Sequence, residues 1–526
     1  MEGVGMAFDL LVRNGMVVDG TGNPWFRADV AVEGERLRLL RGDTAAVQAI
    51  RTIDATGKVV CPGFIDMHAH SAMVVLRDPR HLPKVLQGVT TEVVGVDGLS
   101  YAPFLSADDF QVFAHINAGL DGRPPPDLRY ASVAEYLGCY DNKTSVNICY
   151  LIGNSVLRIA AIGWEERRAT SDEVRRQQDL LRTGMREGAF GLSTGLTYPP
   201  GSYADTQELI DLCKVVAQEG GIYATHVRYT LGDRFADPFR EAIAIARASG
   251  CALHISHFHT PVPGGARRLL RLVDEARAQG VQVTFDAYPY PYSSSRLVAL
   301  VPEWVHNGGP QALVKRLKDP DVRLAIARDP DFYRRDFGSV RVTNLSTAKW
   351  RKYDGWSLAA IAHDTGKSIV DTLCSLLLDE DLTPSFVGLG GNPVNIREFF
   401  RHPAHMVGTD ALHLGEHLNP RTYGSYPLIL GDMVREEGIL TLPEAIRKMT
   451  SLPAQTLGIS DRGLLRDGYY ADIVVFDPQK VRALATLDNP TEPPEGIEWV
   501  IVNGKVVVEQ GRHTGVFPGR ALRHRA

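Results

Sequence analysis

Residues 220–257 read GGIYATHVRYTLGDRFADPFREAIAIARASGCALHISH. Two short apolar β-like runs, GGIYATHV and CALHISH, flank DPFREAIAIARASG, whose apolar residues recur at helical spacing. The unit is therefore strand, helix, strand, and each strand run carries a histidine at its end, His226 and His257. The same texture recurs along the chain. GVTTEVVGV, SVNICYLIG, FGLSTGL, VQVTFDAY and AHMVGTD are further strand candidates, and DEVRRQQDLLRTGMREG, DTQELIDLCKVVAQEG and GARRLLRLVDEARAQG are amphipathic helices. Strand followed by helix, repeated about eight times, predicts an α/β fold, a (β/α)8 TIM-like barrel with helices outside. An open doubly wound sheet is the runner-up, but the Gly-rich dinucleotide loop after a first strand is missing.

The two ends differ from this middle and resemble each other. DLLVRNGMVVDG, RADVAVEGERL and RTIDATGKVVCPG near the start, and GYYADIVVFDP and GIEWVIVNGKVVVEQGR near the end, are β-rich runs broken by Gly and Asp turns. They are expected to pair into one small β-sandwich formed from residues 1–61 and 463–526, with the barrel spanning 62–462. Residues 292–348 interrupt the alternation and read as a small, largely helical insertion within the barrel.

At 526 residues the chain is too long for one ordinary core, and its 44% apolar and 23% charged residues are those of a folded globular protein. With 57 basic against 62 acidic residues there is no basic field for nucleic acid. No apolar run reaches 18 residues, so no membrane span is expected, and the first residues lack the features of a signal peptide. Six scattered cysteines without a CxxC pair read as reduced thiols, which points to the cytoplasm. Cys61 has no nearby base and is rejected as a nucleophile.

The chemistry starts at CPGFIDMHAHS, residues 61–71. His68 and His70 are two residues apart at the end of an apolar run, and side chains at i and i+2 of a strand share a face. Both imidazoles would enter the barrel at its C-terminal mouth, an arrangement suited to a metal. Alone the pair could equally be hydrogen-bonded histidines. Joined by His226, His257 and Asp410, each at the end of a strand candidate, it describes a metal hydrolase. His254 has the opposite strand parity to His257 and is expected to pack against a helix. His402, His405, His413 and His417 fall near Asp410 in sequence, as loop side chains or as its supports.

These motifs resemble the amidohydrolase superfamily, and within it the D-aminoacylase (N-acyl-D-amino-acid deacylase) family. PGFIDMHAH, QGVTTEVVG, GLSTGLTYPP, YATHVR, ISH, DAYPY, NPRTYGSYP, KMTSLPA and GYYADIVVFDP carry the resemblance across nearly the whole chain. It implies that His68, His70, His226 and His257 are metal ligands and Asp410 the catalytic general base and acid. It further implies that Tyr288 polarises the substrate carbonyl and that Arg421 binds the substrate carboxylate. Three positions depart from the family pattern. Asp97 stands where the family has a ligand cysteine, His259 where it has a substrate-binding lysine, and Asn154 where it has a histidine. A carboxylate at 97 can bind one metal or bridge two, and as a harder ligand than thiolate it opens a zinc site to Mn or Co. At 97 the competing reading is an Asp that merely caps a turn before Gly98. His259 exchanges a fixed cation for a group that titrates near neutrality.

The implied activity is deacylation of N-acyl-D-amino acids, small substrates bearing a carboxylate, with a divalent metal, one or two ions. The rival readings are hydrolysis of another amide, a cyclic amide, a dipeptide or a lactone, and a barrel that has lost catalysis and serves as a scaffold.

Overall fold

The computed structural model describes residues 8–128, 132–229 and 234–524. Eight parallel strands form its centre: β1 (Phe64–Asp66), β2 (Val89–Val94), β3 (Asn147–Tyr150, resuming at Ile152–Gly153), β4 (Gly191–Gly195), β5 (Ile222–His226), β6 (Ala252–Ile255), β7 (Val283–Ala287) and β8 (His405–Val407). Each pairs in parallel with the next, β3 reaching β2 through its first half and β4 through its second. The seam between β8 and β1 is joined just beyond their ends. The Met67 N–H donates to the Val407 carbonyl at 3.1 Å and the Asp410 N–H to the His68 carbonyl at 2.9 Å. The ring of strands is the barrel expected from the alternation.

The strands read as near-continuous buried runs because both faces are covered, outside by helices and inside by one another. All six residues of β2 are buried. The helices that cover them are set by local chemistry. Thr170 and Glu173 form a capping box at the start of Ser171–Arg186, and Asp205 caps Thr206–Gln218. The latter turns Leu209, Leu212, Cys213 and Val216 inward against the strands.

The terminal β pieces meet as two sheets. One orders Arg36–Leu40, Asp29–Glu33, Phe8–Arg13 and Ala49–Asp54; the other has seven strands and places Ile473–Phe476 antiparallel to Val59–Pro62. Leu10, Val12, Val30, Val32, Val60, Ile473, Val475 and Ile501 fill the space between them.

Between β7 and β8 the chain leaves the barrel. Tyr292–Arg296, Ser385–Leu389 and Arg341–Thr343 form an antiparallel sheet, in that spatial order. Leu297, Leu313, Leu317, Ile326, Trp350, Leu373 and Leu377 build a second hydrophobic cluster beside it. This unit extends beyond residue 348, where the sequence pattern suggested an end. Helices Leu358–Thr365 and Ile369–Asp379 have the amphipathic texture of barrel helices, but their apolar faces pack on the insertion's own core.

A buried polar link ties the terminal sheets to the barrel. Arg462 pairs with Asp472, donates to Asn503 Oδ1 at 2.8 Å, and Asn503 Nδ2 donates to Asn147 Oδ1 on β3 at 2.8 Å. Asp472→Ala leaves a buried guanidinium without its counter-ion, and the expected loss is about 3–5 kcal/mol. Urea unfolding should show a clearly lower midpoint; an unchanged midpoint would mean the link adds nothing to stability.

Candidate metal centre

The C-terminal ends of six strands converge on one point. His68 and His70 follow β1, Asp97 follows β2, His226 ends β5, His257 follows β6, Asp286 lies on β7 with Tyr288 just beyond, and Asp410 follows β8. Asp97, His257 and Asp410 all have left-handed backbones, with φ of +56°, +32° and +49°. Non-glycine residues held there cost roughly 1–3 kcal/mol each and cluster where a site must re-aim its side chains. The Asp97 turn is held by close backbone packing. A Cβ on Gly95 would lie 2.1 Å from the Leu151 carbonyl oxygen, and one on Gly195 would lie 2.0 Å from that of Asp97.

Asp97 sits among four imidazoles. Its Oδ1 is 3.5 Å from His68 Nε2, and its Oδ2 is 3.6 Å from His70 Nε2, 3.6 Å from His226 Nδ1 and 3.5 Å from His257 Nε2. Two groups with metal-ligand spacing result, His68–His70–Asp97 and Asp97–His226–His257, sharing the carboxylate. All five side chains are buried. Both ring nitrogens of His68 and Oδ1 of Asp97 have no hydrogen-bond partner. Buried and unsatisfied, such groups cost about 1–3 kcal/mol apiece. Lone pairs aimed at one another from imidazole and carboxylate are the donor set of zinc and its neighbours. The electrostatics agree. Burial opposes the His68 imidazolium, yet the Asp97 and Asp286 carboxylates outweigh it and hold the group at about 10. His70 is also raised against its burial, by Asp121, Asp410 and Asp97. Asp97 is held well below the ordinary carboxylate range although burial alone would raise it, because His68 and His257 face it. The site calls for positive charge at its centre, and a divalent cation fits it.

The far nitrogens of three of the imidazoles are also held. His70 Nδ1 is 3.1 Å from Asp121 Oδ1, whose other oxygen accepts from Tyr101 OH at 2.7 Å. His226 Nε2 is 2.6 Å from Thr197 Oγ1, and His257 Nδ1 is 3.1 Å from Tyr229 OH. Such partners fix tautomer and ring orientation. Asp286 Oδ2 lies 3.7 Å from His68 Nδ1 and 2.9 Å from His254 Nε2, while its Oδ1 accepts from the His257 N–H at 2.9 Å. His254 therefore faces the barrel interior and not a helix. Strand parity does not carry from His254 to His257, because β6 ends at Ile255 and the turned backbone at His257 breaks the alternation.

Asp410 Oδ1 is 3.3 Å from His70 Nε2, and its Oδ2 is 2.9 Å from Arg421 Nη2. Arg421 is fully buried, and its guanidinium lies 4.2 Å from the centre of the Tyr288 ring. Burial would raise the Asp410 carboxyl, but Arg421 and His70 hold it below the usual range. Tyr288 is pushed up to about 12 by burial. His259 is near the centre, its Nδ1 bonded to the His257 carbonyl at 2.7 Å, and burial together with His257 lowers it to about 4. It is neutral at pH 7 rather than titrating there, a consequence of burial that the sequence could not display. The four remaining candidate histidines do not join the site: His402 bonds Asp274, His405 packs on Phe400, His413 lies beside His81, and His417 faces Asp354.

Asp121, Thr197, Tyr229 and Asp286 were missed in the sequence. Asp286 had a signal, since it precedes Tyr288 by two residues on one strand run. Asp121 had none, because it lies on the four-residue helix Ala118–Asp121, outside the barrel ladder.

A family model described as the amidohydrolase family matches residues 51–508. The chain is 35% identical over 523 residues to an N-acyl-D-glutamate deacylase of Alcaligenes xylosoxydans xylosoxydans, covering 98% of this chain and 97% of the relative. It is 33% identical over 527 residues to a D-aminoacylase of the same organism, with 98% and 97% covered. Among solved structures it is similar to the N-acyl-D-glutamate deacylase of Bordetella bronchiseptica, complexed with zinc and a phosphonate inhibitor. That match has a TM-score of 0.84 at 33% identity, covering 99% of this chain and all of that one. It is also similar to a D-aminoacylase described by its binuclear metal centre, with a TM-score of 0.82 at 33% identity over 98% of this chain and all of the other.

Asp121→Asn preserves shape but removes the charge behind His70. Zinc affinity, measured by competition with a chelator, should fall about 10- to 100-fold. Unaltered affinity would mean that His70 is oriented without it.

Proposed function

This chain belongs to the amidohydrolase family, and we propose that it hydrolyses the amide bond of N-acyl-D-amino acids, releasing a carboxylate and a D-amino acid. The observation that carries the reading is the convergence of Asp97 and four histidines on a point flanked by the Asp410–Arg421 pair. His68, His70, Asp97, His226 and His257 would hold one divalent ion, or two bridged by Asp97. Such an ion, zinc in the solved relative, acts as a Lewis acid and lowers the pKa of water from about 15.7 towards about 7.

The side chains then divide the work. Asp410 takes a proton from the attacking water as its oxygen bonds to the acyl carbon, and returns a proton to the nitrogen as the C–N bond breaks. Tyr288, whose hydroxyl burial raises to about 12 and so keeps firmly protonated, donates to the developing oxyanion. One such donor is worth roughly 3–4 kcal/mol. Arg421 holds the substrate α-carboxylate, best through two parallel hydrogen bonds. His259 offers a neutral hydrogen-bonding group where relatives of this pattern have lysine. That loss of a cation is the observation favouring a second reading, a cyclic amide or lactone substrate with less charge at this point.

The substrate is thus a small molecule with a carboxylate. Six unpaired cysteines support a reducing, cytoplasmic setting, and the acidic excess argues against nucleic acid as a partner. Among the described residues no helix is long and apolar enough to cross a membrane.

Matched N-acetyl-D- and N-acetyl-L-amino acids, offered to zinc- and manganese-loaded protein, should separate cleanly, with turnover of the D series alone. Absence of D turnover at full metal occupancy would turn the assignment towards cyclic amides and lactones. Asp410→Asn should reduce kcat at least 1000-fold while bound metal and fold persist; retained turnover would remove Asp410 as the base.

A further inference from the structure

Behind Asp97 lies a side chain that the chemistry above does not use. Asn154 follows β3 directly, opens the helix Asn154–Ala161 and is fully buried. Its Nδ2 donates to the Gly201 carbonyl at 2.9 Å, in the loop that follows β4. Its Oδ1 has no hydrogen-bond partner among the described residues. A buried amide whose oxygen goes unsatisfied sacrifices stability, so the contacts that this oxygen does make carry the interest.

The oxygen is wedged against the backbone of the Asp97 turn. A Cβ on Gly98 would lie 2.5 Å from Asn154 Oδ1, and one on Gly201 would lie 2.7 Å from the same atom. The amide therefore occupies the gap between two glycine α-carbons, one in the Asp97–Gly98 turn and one in the loop after β4. The rest of the turn is enclosed as tightly. The Gly98 N–H donates to Ser193 Oγ at 3.1 Å, the Ser155 N–H donates to the Gly98 carbonyl at 3.3 Å, and a Cβ on Gly153 would collide with that carbonyl. Asp97 and Gly98 are both left-handed, with φ of +56° and +69°. The direction of the carboxylate is thus set by how this strained turn is held. Ser193 grips it from β4, and Asn154 ties it to a further anchor, the Gly201 carbonyl.

We propose that Asn154 is a positioning residue of the metal centre: its amide, anchored on the Gly201 carbonyl, braces the Asp97–Gly98 turn and so aims the Asp97 carboxylate at the four imidazoles. This rests on the metal-centre reading above. Ligands must be held within about 0.5 Å of their working geometry, and a turn with space behind it does not hold them so. Asn154 acts through Asp97 and takes no part in the chemistry. Alanine at 154 leaves the Gly201 carbonyl without its donor and the turn without its brace.

The test measures zinc affinity of metal-stripped wild type, Asn154→Ala and Gly201→Ala by competition with a chelator, each alone and combined with Asp97→Ala, with thermal unfolding recorded for every variant. Asn154→Ala should bind zinc about 10- to 100-fold more weakly than wild type. In the Asp97→Ala background the same substitution should cost little more, since independent sites add whereas a residue acting through another does not. A lowered melting temperature with zinc affinity intact, or equal losses of affinity in both backgrounds, overturns the proposal. Gly201→Ala presses on the amide from its far side. It should weaken zinc binding when Asn154 is present and add little to Asn154→Ala. If Asn154→Ala does not fold, Gly201→Ala decides: weaker zinc binding that vanishes in the Asp97→Ala background supports the proposal, and unchanged affinity overturns it. A wild type that binds no zinc removes the metal-centre reading and this proposal with it. Tight wild-type binding that Asn154→Ala leaves intact removes this proposal alone.

Discussion

The Asp97 carboxylate lies 3.5–3.6 Å from a nitrogen of each of His68, His70, His226 and His257, and much of the local architecture serves that meeting. These residues come from four strands and are separated by up to nearly 190 positions in the chain. Only a closed ring of parallel strands brings their ends to one mouth. The left-handed backbones at Asp97, His257 and Asp410 and the close approach of Gly95 and Gly195 then aim the side chains inward. The strain is offset by the surrounding packing, and a cation at the centre would satisfy lone pairs that nothing else reaches.

A buried ionic layer supports this arrangement from below. Lys84 bonds Asp66 at 2.5 Å and Thr409 at 2.8 Å and pairs with Glu92 at 2.8 Å; Glu92 also meets His81 and Ser71. Asp66 Oδ1 accepts from the backbone N–H groups of His68 and Thr409. The network thus clamps the seam where β8 returns to β1 and holds the residues on either side of it, His68 and Asp410, in register. Lys84 keeps its proton strongly because the two carboxylates outweigh its burial. Every charge in the layer is answered, which is what burial demands.

What could be read in the sequence was what strand geometry dictates locally. His68, His70, His226, His257 and Asp410 were legible because each ends a β-like run, and the barrel because strand and helix alternate. Asp97 needed the family pattern, since its turn alone is also that of an ordinary Asp-Gly cap. Features set by tertiary packing were not legible. Asp121 orients His70 from a short helix 51 positions away. His254 faces Asp286 inside the barrel because the turned backbone at His257 breaks the strand parity between them. His259 looked like a neutral-pH titrating group until its burial was seen. The insertion's full extent was hidden because its helices carry the same amphipathic signature as those of the barrel.

The Asp97 carboxylate is shared by both groups of side chains with metal-ligand spacing, so the proposed metal centre depends on it. The most direct test is zinc titration of metal-stripped wild type and Asp97→Ala, followed by calorimetry and elemental analysis. The account predicts that Asp97→Ala keeps its fold but binds zinc at least 100-fold more weakly, while Asp97→Cys retains tight binding. Equal zinc affinity and stoichiometry in wild type and Asp97→Ala would contradict it and leave Asp97 as the cap of a turn.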